Sequence, residues 1–229
     1  MDIALALVAV VAAAMVGAAG VRVVRRLPEP VPHPEEPDHS KIPYADLGRS
    51  PRTEAVLAVL AAVLMGLAAT ALPIALLPVW VAVCGVGAWL AWVDWRTQLL
   101  PFLLTTPLHV AALLLLTLAA ALTRDWSLLW SGLLANVVVF AIFWLIWFIG
   151  VRVGSTFGYG DVRLSGVLGL ALGPLGLQTT LYGVYAGFLL GAVGGIVLSR
   201  LGIVDRKGFA FGPYMVVGAA IGLAVAPLV

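Results

Sequence analysis

The chain has 229 residues, 62% of them hydrophobic and only 10% charged, with a mean hydropathy of +1.10. A soluble domain carries about a quarter charged residues, so there is too little polar surface here to cover a water-soluble globule. The composition points to one polytopic membrane domain over residues 1–229. A net charge of +2 builds no basic face for nucleic acid, and Cys84, the only cysteine, excludes a disulfide framework.

A helix needs about 20 mostly apolar residues to cross a hydrocarbon core of about 30 Å. Such runs are predicted in chain order near residues 3–24, 54–72, 74–93, 102–122 and 127–150. A shorter run follows at 162–175, then two more near 179–198 and 209–228. The expectation is an all-α membrane bundle of about eight transmembrane helices. The first run has no basic residue before its apolar core, and Arg22, Arg25 and Arg26 follow it. That is the charge order of a retained anchor with its N-terminus outside, not of a cleaved leader.

Residues 27–52 hold Pro28, Pro30, Pro32, Pro34, Pro37, Pro43 and Pro51 among charges of both signs. With few apolar residues to build a core, they are predicted to form an extended Pro-rich cytoplasmic loop. His33 and His39 in this loop match no rigid ligand spacing and no cysteine joins them, so no metal is expected.

Orientation follows from the basic residues. With the 27–52 loop in the cytoplasm, Arg22, Arg25, Arg26, Lys41, Arg49, Arg52, Arg96, Arg152, Arg163, Arg200, Arg206 and Lys207 all fall on the cytoplasmic side. Only Arg124 falls outside. Both termini are therefore expected outside.

Few carboxylates touch the predicted spans. Asp94 ends the third, in AWVDWRTQLLP, and Asp161 starts the sixth, in STFGYGDVRLSG. The topology places both at the cytoplasmic end of their helices. Acids at membrane depth are costly and usually functional, whereas one at a helix end is also read as simply solvated. Gly158 and Gly160 precede Asp161, where glycine permits a positive φ or a close backbone approach. Pro101, after Asp94, is expected to end a short turn before the next helix. Two carboxylates held close share a proton, so one acts as base and the other as acid, and the pair activates water against a peptide carbonyl without metal or cofactor.

Three segments give a resemblance to a known family. FGYGDVRLSG is similar to the glycine-x-glycine-aspartate motif of the type IV prepilin peptidases, which are intramembrane aspartic proteases. DWRTQLLP, with Asp94, Arg96, Thr97 and Pro101, resembles that family's other aspartate motif, and FAFGPYMVVGA, with Gly212 and Pro213, resembles the segment opening its last helix. GVRVVRRLP is a faded likeness of the end of its first helix. The resemblance implies that Asp94 and Asp161 are the catalytic pair, supported by Gly158, Gly160, Arg163, Arg96, Thr97, Pro101, Gly212 and Pro213. It implies no cofactor. The implied substrate is the leader of a type IV or Flp/Tad-like prepilin or pseudopilin, cut at the cytoplasmic face of a bacterial inner membrane. Many members carry a cysteine-rich zinc-binding insertion after the first helix and methylate the new N-terminus. Residues 27–52 contain no cysteine, so the resemblance extends to a short, peptidase-only form. Val21 and Phe102 also depart from the family pattern. A different class of function, a small transporter with the two aspartates as an ion relay, would call for internal repeats, and none is visible.

Several further residues read as structural. Gly183, Gly187, Gly191 and Gly195 form a smooth stripe on one helical face, for packing inside the bundle or for a homo-oligomer. Trp95, Trp126 and Trp130 fit an interfacial belt. Arg163 is placed either to steady an aspartate's charge or to meet a phospholipid phosphate. Asn136 is expected to hydrogen-bond across helices, with His109 an interior polar group and Cys84 a packed hydrophobe.

Overall fold

The structure, a computed structural model, describes residues 3–29, 42–69, 71–154, 157–201 and 209–225. All regular structure among these residues is helical. The helices are α1 (Ile3–Val24), the single turn α2 (Tyr44–Leu47), α3 (Pro51–Ala69), α4 (Leu77–Thr97), α5 (Phe102–Thr123), α6 (Ser127–Arg152), α7 (Tyr159–Leu172), α8 (Leu177–Arg200) and α9 (Gly212–Val225). Short 3-10 turns at Ile74–Leu76 and Gly173–Leu175 lead into α4 and α8. Among the described residues six helices, α1, α3, α4 with its leading turn, α5, α6 and α8, are long and apolar enough to cross a membrane, against the expected eight or so, and α9 is a shorter apolar helix. This is the polytopic helical bundle the composition calls for, since hydrocarbon leaves backbone groups no partner except within the helix.

The shorter α7 is apolar for another reason. Its 14 residues extend about 21 Å, less than the hydrocarbon thickness of about 30 Å. Eleven of them are buried, because α7 is enclosed by α5, α6 and α9. Lipid does not set its length, and protein covers it on most sides.

Small residues bring the surrounding helices together. Gly17 of α1 lies on Leu57 and Ala61 of α3, and Gly20 lies on the Trp89 ring of α4. The Trp89 indole N–H donates to the carbonyls of Gly17 (2.9 Å) and Val16 (3.1 Å), tying α1 to α4. Across the bundle, Gly218 and Gly222 of α9 meet the backbones of Gly187 and Gly183 of α8. Gly191 faces Phe211 and Gly195 faces Phe209. The predicted glycine stripe is thus covered by α9 and its leading segment from the same chain. Of the two readings of the stripe, packing inside the bundle is the one these contacts fill. The polar link expected of Asn136 also forms. Its Nδ2 donates to the Gly166 carbonyl of α7 (2.7 Å) and lies 2.8 Å from Nε2 of His109 on α5.

The end of the 27–52 segment is not extended. Pro43 precedes α2, which buries Tyr44 and Leu47, and α3 already begins at Pro51. Two apolar side chains one turn apart are enough to dock this turn on the bundle. His33, His39, Lys41, Arg206 and Lys207 lie outside the described residues. The described arginines other than Arg124 belong to helix ends or connections at one end of the bundle, the end that also carries Asp94 and Asp161.

Candidate active site

Asp94 lies in the last turn of α4. The helix stops at Thr97 because Gln98 turns left-handed (φ 55°), with its N–H donating to the Asp94 carbonyl at 2.7 Å. Thr97 is buried and donates its hydroxyl to the Val93 carbonyl (2.8 Å), closing the helix end. The chain then reaches Pro101, which caps α5 in an extended conformation. DWRTQLLP is therefore a helix stop, a left-handed residue, a short extended link and a helix start. The break expected at Pro101 is present.

Asp161 is the third residue of α7, after the extended N-cap Gly158. Its N–H donates to the Gly158 carbonyl (3.2 Å), and its carboxylate Oδ2 faces the Gly158 backbone. A carboxylate at this position suits the unpaired N–H groups and positive end of a helix start. Of the two readings of the glycines, the close approach holds at Gly160 and the positive φ does not. Gly158 has a φ of −79° and Gly160 is helical, so neither supplies a positive φ. Gly160 is small because Leu100 lies against it: a Cβ there would stand 2.6 Å from the Leu100 Cβ.

The third segment closes the site. Gly212, the first residue of α9, donates its backbone N–H to Asp94 Oδ2 at 2.8 Å. This N–H belongs to a first turn with no intrahelical acceptor, so the helix start supplies a free donor to a buried carboxylate. Pro213 costs the helix nothing there, because its missing N–H would also be unpaired. Leu100 is the meeting point, in contact range of both Gly160 and Gly212. The three sequence motifs thus converge, although residues 94 and 212 are far apart in the chain.

Asp94 is 4% exposed and Asp161 6% exposed. They are close enough for the charge of one to act on the other. Asp161 Oδ1 is buried with no hydrogen-bond partner among the described residues. The one ion pair among the described residues, Arg49 with Asp46, involves neither aspartate.

The two arginines of the aspartate motifs both rest on aromatic rings. Arg96 is exposed and stacks over the Trp92 ring at 5.6 Å. Arg163 rests on the rings of Tyr159 (4.9 Å) and Phe102 (5.0 Å). Thr97 and Pro101 shape the backbone and Pro213 starts α9. What the sequence reading missed is Leu100 and a cluster of Phe143, Phe157, Phe188 and Phe211. In that cluster Phe143 and Phe188 lie 5.0 Å apart and Phe188 and Phe211 5.4 Å apart. It seats Phe211, and so the Gly212 N–H, against α6 and α8.

Three segments distant in sequence thus bring two aspartates together in the interior of the helical bundle, out of solvent. The chain matches the type IV leader peptidase family over residues 81–199, just over half its length, and belongs to that family. Both aspartates fall within the matched region, while Gly212 lies beyond it. No curated protein and no solved structure matches the chain.

Proposed function

We propose that this peptidase is an aspartic endopeptidase that removes the leader from a type IV or Flp/Tad-like prepilin at the cytoplasmic membrane face. The observation that carries the proposal is the donation of the Gly212 N–H to Asp94 beside a buried, partly unpartnered Asp161. One carboxylate takes a proton from water as it attacks the scissile carbonyl, and the other gives a proton to the departing peptide nitrogen. The Gly212 N–H fixes one oxygen of Asp94, which leaves its second oxygen to face the water. The low polarity around the pair strengthens each of these interactions. Positioning at one end of the bundle suits a bond just outside the hydrophobic helix of the substrate. The charge bias of the arginines supports the cytoplasmic side. The transporter reading gains no support, since both acids lie at one end rather than along a path.

The test is reconstitution of the full chain in vesicles with a prepilin, followed by mass measurement of the product. A new N-terminus at the boundary between the polar leader and the apolar helix is expected. Intact prepilin after prolonged incubation with folded protein, over a panel of prepilins, would overturn the proposal.

A further inference from the structure

A groove outside the aspartate site runs between α5, α6 and α7, with Arg163 at its mouth. The Arg163 guanidinium lies 4.9 Å from the Tyr159 ring centroid and 5.0 Å from that of Phe102, and it forms no ion pair among the described residues. Rings hold a guanidinium by its faces and leave its in-plane N–H donors free for an oxyanion. The hydroxyl residues Thr105 and Thr106 line the groove beside it, and farther along α5 come Val110, Leu113 and, from α6, Phe140. Val110 is 51% exposed and Leu113 36% exposed, so this wall faces the lipid. His109, also in the wall, has Nε2 against Asn136. Arg163 is therefore the charged group of the groove among the described residues.

We propose that this groove binds one anionic phospholipid, with its phosphate on Arg163 and an acyl chain along α5. Length, volume and position favour a lipid. From Phe102 to Leu113 the helix rises about 17 Å, roughly the depth of one leaflet. The groove volume is about 340 Å³. A groove of this size seats a single slim acyl chain along its length. In the orientation read from the arginines, the mouth faces the inner leaflet, whose anionic headgroups attract cations. The bound lipid braces the first turn of α7, two residues from Asp161, against the start of α5.

The test is native mass spectrometry of the full chain, purified in neutral detergent and offered equal amounts of phosphatidylglycerol and phosphatidylcholine. The wild type is expected to retain one phosphatidylglycerol in preference. Arg163→Gln should lower that preference about tenfold, the loss of one charged phosphate contact. Leu113→Trp, which fills the apolar part and leaves Arg163 in place, should lower retention of both lipids without changing the melting temperature of lipid-free protein. Equal retention of the two lipids by the wild type, or unchanged phosphatidylglycerol in both variants, would overturn the proposal. Displacement of the lipid by a single-span peptide carrying one acid near its end would also overturn it and assign the groove to a peptide. These readouts concern lipid alone and are independent of peptide cleavage.

Discussion

At Gly212 a side chain has no room: a Cβ would stand 2.9 Å from Asp94 Oδ2 and 3.3 Å from the Leu100 side chain. Gly212→Ala must therefore push either the carboxylate or the start of α9 aside. Leader cleavage is expected to fall about 10²-fold, the cost of a misplacement near 1 Å. Melting should show a smaller loss of about 1–3 kcal/mol, as for other overpacking changes. Cleavage that falls only in proportion to the folded fraction would show that Gly212 is merely structural. The two aspartates were legible in the sequence because an acid in an apolar run stands out energetically. Leu100 was not, since one leucine in a leucine-rich chain carries no local mark of the two glycines it meets. The sequence left the role of Arg163 open for a related reason: nearness to Asp161 along the chain says nothing about which way a helical side chain points.

Among the elements, the α8–α9 contact is the most demanding. Gly218 and Gly222 lie directly on the Gly187 and Gly183 backbones, so any added side chain separates the two helices. Gly218→Val is expected to destabilise the bundle by about 1–3 kcal/mol, measured as a drop in thermal midpoint in detergent. An unchanged midpoint would mean that α9 can shift without cost. The link through Asn136 is a milder case. Asn136→Leu removes the donor to the Gly166 carbonyl (2.7 Å) and to His109. Cross-helix hydrogen bonds in membranes are worth about 0.6–2 kcal/mol, and the same midpoint measurement should report a loss of that order. The period-four glycines revealed a packing face, but not its partner, because small residues serve close contact within a chain and between chains equally well. The boundaries of α7 were near those predicted. Its enclosure was not readable, because a helix surrounded by protein and a helix surrounded by lipid are both apolar on every side.

For the whole molecule, the all-helical bundle was legible from composition, while the docked turn α2 was hidden in a segment that reads as loop. The side facing the cytoplasm is a prediction of the arginine distribution. Cys84 is 2% exposed and should resist labelling, so single cysteines introduced at Arg96 and at Arg124 report each side. An impermeant maleimide added to intact cells should label Arg124→Cys and not Arg96→Cys, and the opposite pattern would reverse the assigned orientation. Under the proposed mechanism catalysis is a property of the assembled bundle, because Asp94, Asp161 and Gly212 belong to three different helices. The most direct measurement is the rate of leader removal by wild type, Asp94→Asn, Asp161→Asn and the double variant in vesicles, each verified as folded by its melting curve. Each single change is predicted to cost about 10²–10⁴-fold, and the double change no more than the worse single one, as for groups acting as a unit. A single variant that cleaves at the wild-type rate, or two losses that multiply, would contradict the shared role of the pair.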